Sequence, residues 1–142
     1  MERFWLLPHV GALAAAYALA VPIGWDREKA DRSAGLRTFP LVAIASCGFV
    51  QAAENLVAQN PEGVSQIVGG VITGIGFVGG GAIIQQGASV RGTATAASLW
   101  ATGAIGTAVG LGAYDVAVVI SAFTFATLHF IKRDQPDKDA DR

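Results

Sequence analysis

The sequence predicts an all-α fold: a polytopic membrane helix bundle of five transmembrane helices, N-terminus outside and C-terminus cytoplasmic. Three observations predict it. Charged residues make up 15% of the chain, against about 25% in a soluble domain. They are clumped, with seven in Asp26–Arg37 and eight in Lys132–Arg142. Between the clumps run stretches without Asp, Glu, Lys or Arg: Phe4–Trp25, Thr38–Ala53, Gly63–Val90, Gly92–Tyr114 and Val116–Ile131. The formal net charge of −1 argues against nucleic acid as a partner, which requires a clustered basic excess.

A spanning helix needs about 20 apolar residues. The first is expected near residues 5–25, with Trp5 and Trp25 at its ends as interfacial anchors. Ala18-Leu19-Ala20 resembles a signal-peptidase site. Cleavage there would strand Arg27, Lys29, Arg32 and Arg37 on the outer side, so the helix is read as retained. The second is expected near 38–55, with Glu54 reaching the headgroups. Its Cys47, the one cysteine of the chain, excludes an internal disulfide and reads as an apolar filler. The third is expected near 64–85, where a soluble helix would show a polar face that this run lacks. The fourth and fifth follow near 93–111 and 113–131, with Lys132 as the inner flank. Residues 1–131 thus form the transmembrane domain and 132–142 a short polar cytoplasmic tail.

Basic residues set the orientation. One side would hold Arg27, Lys29, Arg32, Arg37, Arg91, Lys132, Arg133, Lys138 and Arg142, and the other only Arg3. This asymmetry needs an odd number of spans.

In lipid, helices associate through small residues and interhelical hydrogen bonds. Gly69, Thr73, Gly76 and Gly80 form one seam on helix three, with Gly70, Gly74 and Gly81 beside it. A helix so smooth is expected to be central. Helix four carries Thr95, Ser98, Thr102 and Gly106, flanked by Gly103 and Gly110. Helices three and four are expected to pack along these seams. Gly74-Ile75-Gly76-Phe77-Val78-Gly79 fits GxGxxG, but it lies within a charge-free run and not between a strand and a helix, so it is no nucleotide site. Gly79-Gly80-Gly81 has a second reading as a helix break of the kind transporters use.

Asp26, Arg27, Glu28, Arg37 and Arg91 gather at the inner end, where carboxylates and guanidinium groups could pair across the bundle or simply face headgroups. Trp100 lies inside helix four, where its N–H favours a contact with another helix over open lipid. His9 and His129 lie at opposite membrane faces, so no metal site is expected from them. No GxSxG, HExxH or buried acid pair is present, so no catalytic residue, enzyme activity or cofactor is expected.

The motifs resemble the MgtC/SapB family of membrane proteins. They are Gly24-x-Asp26-Arg27-Glu28, Ala34-Gly35-Leu36-Arg37-Thr38, Gly74-Ile75-Gly76-Phe77-Val78-Gly79-x-Gly81 and Val90-Arg91-Gly92-x-x-Thr95-Ala96-Ala97-x-Leu99-Trp100. Order and spacing agree across about residues 11–131. The resemblance implies a multi-pass protein of the bacterial inner (cytoplasmic) membrane, linked to low-magnesium adaptation and, in pathogens, to virulence. It implies a regulatory role through contacts with other membrane proteins, the F-type ATP synthase among them. A cation channel or transporter, for Mg²⁺ or protons, is the alternative. The lipid bilayer is the implied surrounding, and exposed small-residue seams admit a homodimer. Two departures stand out: Asp26 where the family usually has Glu, and Thr93-Ala94 where a leucine followed by Thr or Asn is typical. The second puts an ATP-synthase role in question. Larger members carry a soluble C-terminal domain, and the tail Lys132–Arg142 is too short to fold as one, so a short form is expected.

Overall fold

The computed structural model describes residues 6–30, 34–54 and 58–131. Five helices and one β-hairpin make up this part of the chain.

Helix α1 (Leu6–Lys29) buries Ala12, Ala16, Ala20 and Ile23. These positions recur at helical spacing, so three alanines and one isoleucine form a single flat stripe. Helix α2 (Thr38–Ala52) tolerates Pro40 because it lies in the first turn, where a missing N–H breaks no helical bond. Helix α3 (Pro61–Gly81) starts on Asn60, whose side chain accepts the Glu62 N–H at 3.0 Å, with Pro61 in the first turn.

After Gly81 the chain leaves the helix. Strand β1 (Ile84–Gln86) pairs antiparallel with β2 (Ser89–Arg91), with Ile84 opposite Arg91 and Gln86 opposite Ser89. Gly87, at φ 58°, makes the reversal between them. Gly92, at φ 86°, then turns the chain into α4 (Thr93–Gly110). A Cβ on Gly92 would strike the Ala82 carbonyl, so both conformation and space demand glycine. A short turn through Gly112 leads to α5 (Tyr114–Phe130).

Cross-helix contacts give the directions. Gly106 lies against Ala43 and Ser46, and Gly110 against Cys47 and Val50, so α2 and α4 run parallel. Gly79 meets Ala96 while Gly103 meets Ile75, so α3 and α4 run antiparallel. Ser121 bonds Leu19, and Arg27 bonds Leu128, so α1 and α5 run parallel. The end of α1, residues 34–37, the hairpin and the end of α5 therefore share one end of the bundle.

Helix α4 is the central element and touches all four other helices. It buries Thr95, Ser98, Leu99, Thr102, Gly103, Ile105, Gly106, Thr107, Ala108 and Val109. The expectation that helix three is central is thus corrected. Helix α3 packs mainly on α4 and less on α2, and its fully buried residues are Val71 and Gly79.

Helix lengths also differ from expectation. Helices α1 and α3 are long and apolar enough to cross a membrane. Helices α2, with 15 residues, and α5, with 17, are apolar but shorter than expected. At 1.5 Å per residue α2 reaches about 22 Å, short of a hydrocarbon core of about 30 Å. Helix three ends at Gly81 and not near 85, so the glycine triplet closes the helix instead of interrupting it. Trp5 and the tail 132–142 lie outside the described residues.

Candidate functional site

Two regions hold the residues singled out from the sequence. One is the polar end of the bundle, and the other is the glycine face of α3.

At the polar end, Asp26 divides its carboxylate. Oδ2 takes the Arg27 Nη2 at 2.9 Å and Oδ1 lies 3.0 Å from His129 Nδ1 on α5. Arg27 is buried and also reaches the Leu128 carbonyl at 3.4 Å. Its Nε has no acceptor among the described residues. Leu128 sits in the last turn of α5, where a guanidinium completes a carbonyl that the helix leaves unpaired.

Glu28 does a different job. Its Oε2 accepts the Leu36 N–H at 3.0 Å, just ahead of α2. The carboxylate pairs a backbone N–H two residues ahead of α2 and lies near the positive end of that helix's dipole. Gly35 leaves the space for it, because a Cβ there would collide with the Glu28 carboxylate. Gly24 lets the same turn approach, with its would-be Cβ 3.2 Å from the Gly35 carbonyl. The Gly24, Asp26–Arg27–Glu28 and Gly35–Leu36 spacing is therefore one packed corner between α1 and α2.

Arg37 and Arg91 are exposed, and neither forms an ion pair among the described residues. Carboxylate–guanidinium pairs from Asp26 or Glu28 to these two are replaced by other partners. Asp26 pairs with its neighbour Arg27 and with His129, and Glu28 with a backbone N–H. His129 was not grouped with the cluster from the sequence. Its presence at the inner end of the fifth apolar run was the available signal.

The small-residue seams divide. On α4, Thr95, Ser98, Thr102 and Gly106 are all buried. Ser98 bonds the Thr95 carbonyl and Thr102 the Ser98 carbonyl, both at 2.8 Å, so these hydroxyls bring no unpaired polarity to the core. Gly106 faces α2 and not α3. On α3, Gly69, Thr73, Gly76 and Gly80 are exposed, as are Gly70, Gly74 and Gly81. A Cβ on any of these six glycines would meet nothing within 4 Å. Contact with α4 instead runs through Gly79, beside the Ala96 carbonyl at 3.1 Å, and through Ile75, which fills the space over Gly103. The reason is angular: Val71, Ile75 and Gly79 lie on the opposite side of the helix from the seam. Phe77 stands 86% exposed among the outward glycines.

Trp100 also departs from expectation. It is 53% exposed and faces away from the bundle. Trp25 is exposed near its helix end, with the Lys29 ammonium 4.9 Å from its ring, in keeping with an interfacial anchor. Cys47 is fully buried beside Gly110. Among the described residues no group of His, Cys, Asp and Glu is placed to hold a metal ion. A shallow apolar crevice lined by Val50, Val64, Ile67, Val68 and Leu111 lies toward the other end of the bundle. It offers no polar group to orient a ligand.

The model of the MgtC family matches residues 13–135. Protein MgtC of Salmonella typhimurium is 38% identical over 117 residues, which is 82% of this chain and 49% of the relative. Protein MgtC of Brucella abortus is 37% identical over 121 residues, 84% of this chain and 50% of the relative. The chain thus spans about half the length of the curated relatives it matches. No solved structure matches it.

Proposed function

The chain belongs to the MgtC family, and from that premise we propose that it is a regulatory, multi-pass protein of the bacterial inner membrane. In this reading it serves adaptation to low magnesium and acts through contacts with other membrane proteins, not by catalysis. The N-terminus lies outside and the C-terminus in the cytosol, following the Lys and Arg distribution. The polar corner of Asp26, Arg27, Glu28 and His129 then lies at the cytoplasmic surface.

One observation carries the contact reading: the outward face of α3. Gly69, Gly70, Thr73, Gly74, Gly76, Gly80 and Gly81 leave backbone open along the C-terminal part of the helix, from residue 69 to its end. Glycine is a poor residue for a lipid-facing helix on packing grounds, since it offers little surface to the chains around it. It is well suited to close approach of a second helix. The F-type ATP synthase is one candidate partner, by resemblance, and a second copy of the chain is another.

Two measurements test the proposal. Purified protein in liposomes should show no Mg²⁺ or proton flux above empty liposomes. Saturable flux that disappears in Arg37→Ala and Arg91→Ala would establish the transporter reading instead. In a host lacking its own family member, the chain should restore growth at low magnesium. Gly76→Leu should abolish that rescue at an unchanged level of membrane-inserted protein. Full rescue by Gly76→Leu would remove the outward face from the account.

A further inference from the structure

The ends of α1 and α5 are joined through a histidine, and no function assigned so far uses it. We propose that Asp26 and His129 form a proton-dependent latch that fixes the end of α5 against the end of α1. The Asp26 Oδ1 lies 3.0 Å from His129 Nδ1, across 103 residues of sequence. The ring is held in place from both sides, stacked on Phe125 at 5.3 Å and edge-on to Phe130 at 5.1 Å. Its side chain is 53% exposed and lies at the polar end of the bundle, beside Asp26.

The chemistry fixes the sign. A carboxylate only accepts, so the Nδ1 facing it must carry the hydrogen. In the neutral ring that hydrogen belongs to one of two tautomers, and the bond is assisted by the carboxylate charge alone. In the imidazolium both nitrogens are protonated and the bond becomes an ion pair as well. His129 also lies in the last turn of α5, where a cation is favoured by the helix carbonyls. The latch is therefore stronger with the ring protonated than with the ring neutral. From α1, Asp26 and Arg27 face the ring's site. Arg27 opposes the imidazolium by like charge once the ring is protonated, with the Asp26 carboxylate between them, one oxygen to each. Helix α4 contains no titratable side chain, and the acids and tyrosine of α5, Asp115 and Tyr114, lie at its other end. The remaining ties between the two helices in this region, Arg27 to the Leu128 carbonyl at 3.4 Å and Ser121 to the Leu19 carbonyl at 2.7 Å, do not change with pH. Acidification of the aqueous phase at this end would thus tighten one corner of the bundle and leave the rest unchanged.

The test uses the full chain in lipid nanodiscs. Hydrogen exchange of backbone amides in 123–131, corrected for the intrinsic pH dependence of exchange, should be at least threefold slower at pH 5.5 than at pH 8.0. His129→Gln should erase that difference, and Asp26→Asn should erase it as well. His129→Arg, which keeps a cation at both pH values, should be protected at both. Equal corrected protection at the two pH values in the wild type would overturn the latch. So would a pH difference that survives in His129→Gln, whose exposed position lets it fold whether or not Asp26→Asn does.

Discussion

At the scale of single residues, glycine has two opposite uses in this chain. Gly106 is a true contact: a Cβ there would sit on the Ala43 carbonyl and the Ser46 side chain. Gly76 faces outward with nothing in reach. Their sequence surroundings are alike, so the difference comes only from which side of each helix meets the bundle. Gly106→Ala is therefore expected to lower stability by about 1–3 kcal/mol through overpacking. Gly76→Ala should change it by less than about 0.5 kcal/mol, the usual range for an exposed site. Thermal unfolding in detergent checks both. Equal losses for the two variants would mean that the α3 face is packed in the folded chain. A seam read from spacing identifies small residues on one side of a helix. It does not say whether that side turns inward, and for α3 it turns outward.

At the scale of elements, the α1–α2 corner shows how a motif becomes a shape. Glu28 caps the approach to α2 through the Leu36 N–H, and Gly35 makes room for its carboxylate. Glu28→Ala should lower stability by about 1 kcal/mol, as the loss of a helix-start acceptor does. Glu28→Gln, which keeps an acceptor oxygen, should recover most of it. Matched losses for Ala and Gln would show that charge, and not the hydrogen bond, is what counts at this corner. Much of the element order was legible in the sequence. The charge-free runs locate five helices, because apolar length and flanking charges are local properties. The hairpin of Ile84–Gln86 and Ser89–Arg91 was hidden, since all of it but Arg91 lies in the same charge-free run as α3. The Gln85-Gln86-Gly87 step was its one local signal, a polar pair before a turn residue. The partners of the polar cluster were hidden for another reason. Arg37 and Arg91 sit at the right depth to pair with Asp26, yet depth alone does not bring side chains together. His129 reaches Asp26 because α1 and α5 run parallel and end side by side.

At the scale of the whole molecule, the core and the surface point to the same surroundings. The core combines small and hydroxyl side chains, including Ala12, Ala16, Ala20, Ser98 and Thr102, with a few large ones, Phe39, Ile23, Leu99 and Ile105. Many other large apolar residues are turned outward, among them Leu7, Phe49, Phe77, Phe123 and Phe130. Water would penalise that distribution, whereas hydrocarbon is indifferent to the outer residues and rewards close packing within. Helix α4 at the centre then serves as the post on which the other four helices lean. Helix α3 has one side on that post and the other open, and in the proposed function that open side meets the partner. The central claim is that this bundle crosses the bilayer with its polar corner and hairpin in the cytosol. Single cysteines in a Cys47→Ala background test it most directly, using a membrane-impermeant maleimide on intact cells. The account predicts labelling of Gln59→Cys, and labelling of Leu36→Cys and Gln86→Cys only after the cells are opened. Labelling of Leu36→Cys or Gln86→Cys on intact cells would contradict it.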